Sequence, residues 1–473
     1  MAMEDFLAFP ALSLTLPIFT FFLFLYTLTR KTKTLNLPPG SYGWPIIGET
    51  LAFVNQDHHK FISQRMRKYS PKIFKTNILG EKAVVICGAA GHKFVSSNEE
   101  KLFQVWRPHS MQRLFHTYTE KFNSAAEIRL VKTPGFLRSE LLLEYVQVMD
   151  SLVAQHFNTY WTNNKKVIEV HHLAQLLVLN ISSQYFLGLE DQARIQKLSK
   201  LWDTMMFALH VIPLNFPGTI YYRAMKAAKI VREELKVLIK EKRVTMAAGV
   251  KMNDVLSFMM NNPDSTGRYV TDDEIAGKVM GLVSAAFNSP AMTTAFIVKY
   301  LGQRPDVYDK VRKEQEEIRR SKKEGEGLNW EDIQKMKYSW NVALEVMRVI
   351  PPLQGTFREA IVDFTYEGYT VPKGWKVYWT MSTTNMNSEH FEAPEEFDPT
   401  RYEKSSSVQP YTNIPFGSGP RACPGKEFAR LQLLTFMHHL LTKINYWDVL
   451  NPHTKVLGGL NPIPIQGLHI RLH

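Results

Sequence analysis

A chain of 473 residues with 45% hydrophobic content carries enough apolar material for a large core, so neither disulfides nor structural metals are needed to hold it. Its two cysteines, Cys87 and Cys423, stand far apart, which excludes a disulfide framework and a Cys-rich zinc site and points to a reducing compartment. The net charge of +12 is spread along the chain rather than gathered in one block. Such a surface suits solvent, an anionic membrane face or an acidic protein partner, and without an Arg-rich tract interleaved with aromatics it argues against nucleic acid as a partner.

From Phe6 to Thr29 no side chain is charged, and a helix of that length crosses a hydrocarbon core of roughly 30 Å. Glu4 and Asp5 precede the run, and Arg30, Lys31 and Lys33 follow it. A signal peptide would show a basic start, and positive-inside reasoning leaves the rest of the chain in the cytosol. The expectation is therefore a membrane anchor and stop-transfer segment over residues 1–34, then one domain over residues 35–473 behind the Leu37-Pro38-Pro39-Gly40 break. Beyond that break periodic apolar spacing dominates, interrupted by strand-like Ala83 to Cys87 and Trp375 to Trp379, so the expected class is mainly α with small β-sheets. Asn180-Ile181-Ser182 matches a glycosylation sequon, but it sits in an apolar periodic run on the expected cytosolic side and is discounted.

Thr271 with Glu274 forms a capping-box pattern that opens a long helix expected to reach about Gly302, short of Arg304-Pro305. The charged stretch Arg319 to Gly327 reads as a surface loop. Asn329 with Asp332 signals a second helix running through Tyr338 to Arg348 and ending at Pro351-Pro352. Glu345 and Arg348 fall on one face of it. Exposed and alone, such a pair contributes only about 0.3 to 0.5 kcal/mol.

The most informative string is Phe416-Gly417-Ser418-Gly419-Pro420-Arg421-Ala422-Cys423-Pro424-Gly425. It sets a cysteine in a glycine-bracketed loop ahead of a helix-like run, where backbone N–H groups can face the sulfur and hold it as a thiolate. Gly417, Gly419 and Gly425 allow tight turning and close approach to a flat cofactor, and Arg421 is placed to meet a carboxylate. An isolated cysteine in such a turn is more often simply buried.

The full string resembles the haem-binding signature F-x-x-G-x-R-x-C-x-G of the cytochrome P450 family, in which the cysteinate is the axial iron ligand. Glu345-Val346-Met347-Arg348 resembles the family's E-x-x-R element, and Phe397-Asp398-Pro399-Thr400-Arg401 the segment whose Arg401 completes a buried triad with Glu345 and Arg348. The resemblance implies a cytochrome P450 fold behind an N-terminal transmembrane helix. It further implies haem b on Cys423, with Phe416 beside it and Arg421, Arg358, Trp106 and Arg113 toward its propionates. Segments 38–50, 336–343 and 351–355 resemble plant triterpenoid oxidases typified by beta-amyrin 28-oxidase. Those enzymes sit in the endoplasmic reticulum and take NADPH electrons through a cytochrome P450 reductase. By that resemblance, substrate contacts fall near Trp106, on the 285–290 face of the long helix, around Gln354 to Phe357 and near Asn461 to Ile463.

One stretch departs from the family. Its usual Ala/Gly-Gly-x-Asp/Glu-Thr-Thr/Ser becomes Ala285-Ala286-Phe287-Asn288-Ser289-Pro290. Asn288 cannot relay a proton as a carboxylate does, Ser289 keeps a hydroxyl able to donate, and Pro290 cannot donate to the Ala286 carbonyl, so a kink that frees that acceptor is expected there. The leading reading is an NADPH- and O2-dependent terpenoid monooxygenase, with Ser289 and Asn288 as its candidate catalytic residues. Two rivals stand beside it: a haem-thiolate enzyme that rearranges, cyclises or dehydrates a terpenoid-like substrate, and a non-catalytic haem-binding protein.

Overall fold

The computed structural model describes Thr20 and residues 35–45, 47–115, 139–162, 166–263, 267–403, 409–457 and 461–473. The expected anchor, apart from Thr20, lies outside them, as does Ile46 of the 38–50 segment. The N-terminal part holds α1 (Thr50–Asn55), α2 (His58–Lys68), β1 (Ile73–Ile78), β2 (Glu81–Ile86), α3 (Gly88–Ser97), β3 (Phe103–Val105) and α4 (His109–Phe115). The helical body follows with α5 (Ser139–Tyr160), β4 (Val167–Glu169), α6 (Val170–Ser182), α7 (Gln192–Phe207), α8 (Ile220–Ala247), α9 (Val255–Asn261) and α10 (Asp272–Gln303). Next come α11 (Pro305–Arg320), α12 (Trp330–Lys335), α13 (Lys337–Val349), β5 (Gly355–Ala360), β6 (Phe364–Tyr366), β7 (Tyr369–Val371) and β8 (Lys376–Thr380). The chain closes with α14 (Lys426–Lys443), β9 (Trp447–Val449), β10 (Val456–Leu457), β11 (Ile463–Pro464) and β12 (His469–Leu472). The expected class, mainly helical with small sheets, is what forms.

The largest sheet has the order β1-β2-β8-β5-β3, with β2 and β8 parallel and the other pairs antiparallel. Tyr378, Phe357, Phe53, Phe61 and Trp106 pack on one side of it. Cys87 is buried with them, and burial pushes its thiol pKa up, as expected of a core cysteine.

The capping box at the start of α10 forms as the sequence predicts: Thr271 Oγ1 accepts from the Glu274 N–H at 3.4 Å, and Glu274 accepts from the Thr271 N–H at 2.9 Å. Asp272, Asp273 and Glu274 place three acids where the helix dipole favours them. The helix then runs without interruption through Pro290 and packs most extensively on α6. It is long and apolar enough to cross a membrane, but 72% of its most apolar window is buried, which marks the central helix of a core.

The second predicted helix is two. A break at Met336, with ψ at 56°, separates α12 from α13. The exposed N–H groups at the start of α13 are met from another helix: Glu314 accepts from the Tyr338 N–H at 2.7 Å and the Ser339 N–H at 3.0 Å. Arg319 and Arg320, expected in a loop, form the last turn of α11 and complement its dipole. The discounted sequon lies inside α6, with Ser182 fully buried.

Candidate active site at the cysteine loop

Residues 416–425 form a tight turn that delivers the chain into α14. The Cys423 N–H donates to the Phe416 carbonyl at 2.7 Å, and the Gly417 N–H to the Ile414 carbonyl at 2.8 Å. Gly417 and Gly419 both adopt φ of +69°, and a Cβ on Gly419 would meet the Ser96 carbonyl oxygen at 2.8 Å. Gly425 differs from the expectation: its φ is an ordinary −87°, and a Cβ there would meet only the Cys423 sulfur, at an ordinary van der Waals distance of 3.8 Å. Cys423 itself is exposed, whereas Cys87 is buried. Phe416 is half-buried and stacks on Trp340 at 6.1 Å.

The charged triad forms behind this loop. Glu345 and Arg348 are both fully buried and meet in two parallel bonds of 2.7 and 2.8 Å. The same carboxylate accepts from Arg401 Nε at 3.3 Å, the Asp398 N–H at 2.9 Å and the Tyr402 hydroxyl at 3.2 Å. Arg348 also donates to the carbonyls of Asn385, Pro394 and Glu396 at 2.8, 2.7 and 3.0 Å. Asn413 extends the network to the loop by donating to Tyr402 at 2.7 Å, one residue before the Ile414 carbonyl that holds Gly417. Five donors on one carboxylate satisfy what would otherwise be a costly buried charge.

Across the core, α10 carries an unusual stripe. From Val279 to Val298 its residues are buried except Gly281, Leu282, Ala285, Ala286 and Ser289, which recur every three to four residues on one face. Ala285 is outright exposed, and a Cβ added to Gly281 would meet nothing within 4 Å. The stripe is an open face of mostly small side chains on an otherwise packed central helix. Ala286 and Phe416 both pack against the main hydrophobic cluster, and α10 packs directly on α14, the helix into which the cysteine loop leads.

The two candidate catalytic residues part here. Ser289 lies on the open stripe, while Asn288 is 2% exposed on the packed side, and its Nδ2 is buried without a hydrogen-bond partner. Thr293 donates to the Ser289 carbonyl at 3.0 Å, and Trp202 of α7 ties itself to α10 through Ser284 at 2.9 Å.

Of the four groups expected toward a cofactor's carboxylates, Trp106 is nearly buried, edge-on to Phe357 at 5.3 Å and under Lys376 at 5.1 Å. Arg113 is exposed on α4. Arg358 is buried and donates to Glu99 at 2.5 Å, with burial pushing its pKa down. Arg421 bridges to Glu100 at 3.2 Å. Among the expected substrate contacts, Gln354 and Phe357 turn into internal packing, Gln354 toward Pro351 and Ser382. Asn461 donates to the Pro352 carbonyl at 3.2 Å, and its own carbonyl meets His210 beyond the end of α7. Glu99, Glu100 and His210 carry no recognisable motif. Their partners lie far away in sequence.

A mostly helical body with an exposed cysteine on a constrained loop, a saturated buried ion triad behind it and an open stripe on its central helix has the features that a flat metallo-cofactor gripped from one side would require. The comparisons agree: the Cytochrome P450 family profile matches residues 38–448, and the chain belongs to that family. It is 45% identical to a beta-amyrin 28-monooxygenase of Medicago truncatula, over 98% of both chains. It is 42% identical to a beta-amyrin 6-beta-monooxygenase of Solanum lycopersicum, over 93% of this chain and 94% of the other. Among solved structures, retinoic-acid-bound cyanobacterial CYP120A1 superposes with a TM-score of 0.84 at 27% identity, covering 93% of this chain and all of that one. The chain is thus a cytochrome P450 monooxygenase, a class that works with haem held by a cysteine thiolate, a redox partner and a hydrophobic substrate.

Proposed function

We propose that the chain is a membrane-anchored monooxygenase of the endoplasmic reticulum that oxidises a pentacyclic triterpenoid of the beta-amyrin type, with Cys423 as the axial ligand of haem b and electrons from NADPH through a cytochrome P450 reductase. The observation that carries the reading is the exposed Cys423 on a constrained loop that leads into α14, which packs against α10, the helix of the open stripe. The donor set fits the cofactor: a thiolate, an aromatic ring at Phe416, and cations at Arg358, Arg421 and Arg113 with the Trp106 indole for two propionates. Bound there, haem supplies O2 activation that places one oxygen atom in a C–H bond of the substrate.

The protein's own share follows from its side chains. The Gly417 and Gly419 turns hold Cys423 forward, and the Glu345 triad fixes the segment that leads into the loop. The small apolar stripe of α10 leaves room for a rigid polycyclic skeleton and excludes water from it. Ser289 is the hydroxyl positioned to donate and pass a proton, while the Asn288 amide, packed behind it, holds no exchangeable acid. Residues 1–34 serve as the anchor, and 35–473 as the cytosolic catalytic domain. The names of the curated relatives, at 42 to 45% identity over nearly the whole chain, support the substrate class.

The test is reconstitution of the full chain with an NADPH-cytochrome P450 reductase and a panel of pentacyclic triterpenes. The expected product carries one added oxygen and forms only with NADPH, reductase and O2. An isomerised or dehydrated product that forms without NADPH would instead establish the rearrangement reading, for which the Asn288-Ser289-Pro290 departure is the motive.

A further inference from the structure

Two adjacent acids, Glu99 and Glu100, follow α3, and between them they hold two of the three arginines expected at the cofactor's carboxylates, Arg358 and Arg421. Glu99 Oε1 accepts from Arg358 Nε at 2.5 Å, with side-chain exposures of 2% and 7%. Glu100 Oε1 accepts from Arg421 Nη2 at 3.2 Å, with Glu100 47% exposed. The backbone is bent to make this possible. Glu100 adopts a left-handed φ of +67°, rare for a residue with a side chain, and its N–H is secured by the Phe103 carbonyl at 2.8 Å. The Glu99 Oε2 atom is buried with no hydrogen-bond partner. Arg421 also acts on Glu99 electrostatically, so the two guanidiniums and two carboxylates form one cluster rather than two separate pairs.

We infer that Glu99 and Glu100 are positioning residues that hold Arg358 and Arg421 in place and set the electrostatic field, and thereby the reduction potential, at the edge of the haem. The inference rests on the reading of Cys423 as haem ligand. Two carboxylates face two guanidiniums, so the charges of these four side chains balance one another before any propionate arrives. The arginines therefore do not present two uncompensated positive charges to the cofactor. Reduction adds an electron to the haem, so each carboxylate nearby disfavours the reduced form, and removing one favours it. The effect is stronger for a buried group than for one screened by water and salt. Burial raises the Glu99 pKa, and Arg358 and then Arg421 pull against that rise.

The experiment is a spectroelectrochemical titration of the haem-loaded full chain as wild type, Glu99→Gln and Glu100→Gln. Both variants are expected to move to a more positive midpoint potential. The Glu99→Gln shift is expected to be the larger and to persist in high salt, and the Glu100→Gln shift to shrink with added salt. Because Glu99→Gln strands a buried guanidinium, Glu99→Gln with Arg358→Gln keeps the net charge. Its midpoint returns toward wild type if the field is responsible, and stays with the single variant if a rearranged pocket is. Unchanged midpoints in both single variants overturn the inference, as does a double variant that fails to return. Should Glu99→Gln hold no haem, Glu100→Gln decides: a salt-sensitive positive shift supports the inference, and none refutes it. A wild-type chain that takes up no haem refutes the haem reading itself and is recognised in the first spectrum.

Discussion

Replacing Glu345 with alanine tests whether the buried triad supports the cysteine loop. The carboxylate is fully buried and accepts from Arg348 twice, Arg401, the Asp398 N–H and Tyr402. Its loss leaves the fully buried Arg348 with carbonyl acceptors but no countercharge. Stranding one member of a buried pair costs about 3 to 5 kcal/mol, a large share of the roughly 5 to 15 kcal/mol that holds a typical domain together. Arg401→Ala removes a longer 3.3 Å contact to a guanidinium that is 11% exposed, so its effect should be smaller. Since Tyr402 and Asn413 link the triad to the Cys423 loop, Glu345→Ala should also lose haem at denaturant concentrations that leave the wild type loaded. The assay is paired: urea unfolding followed by circular dichroism, and haem retention followed by absorbance. A Glu345→Ala protein within about 1 kcal/mol of wild type that keeps its haem would refute the reasoning, because the pair would then behave as a surface bridge.

Three further outcomes are expected. His156 is buried, its Nε2 lacks a partner, and burial lowers its pKa from 6.5 to about 3. The unfolded ring protonates near pH 6.5 and the folded ring does not, so this contribution is intact above pH 6.5 and is lost as pH falls toward 3. The loss amounts to about 2 kcal/mol at pH 5, and urea unfolding of His156→Phe should show a flatter decline between pH 6.5 and 4 than wild type. Gly419→Ala should cost about 1 to 3 kcal/mol, because φ of +69° and a 2.8 Å approach to the Ser96 carbonyl both resist a Cβ, and an unchanged melting temperature would contradict this. Asn288→Asp with Ser289→Thr should raise product formed per NADPH and lower peroxide release while keeping the same product. If neither ratio nor product changes, this stretch does not govern proton delivery.

What the sequence revealed was what local rules govern. The Thr271-Glu274 capping box and the ends of α10 follow from contacts within a few residues, and the strand-like runs at 83–87 and 375–379 fall within two residues of β2 and β8. The break at Met336 had no such signal, since no proline or glycine stands there and the start of α13 is met by Glu314 from α11, a tertiary contact. The same limit applies at the site. The Cys423 loop, Glu345, Arg348 and Arg401 lie in short motifs, whereas Glu99 reaches Arg358 across most of the chain. Asn288 and Ser289 are neighbours in sequence, yet helical rotation sends one into the packing and the other to the open stripe, and only the packing of α10 decides which.

The central claim is that Cys423 supplies a thiolate to haem. The measurement that meets it most directly is the spectrum of the reduced, CO-treated full chain as wild type, Cys423→Ser and Cys87→Ser. The account predicts the red-shifted Soret band of thiolate ligation in wild type and in Cys87→Ser, whose thiol is packed in the core, and its disappearance in Cys423→Ser. Retention of that band in Cys423→Ser, or its loss in Cys87→Ser alone, would contradict the claim.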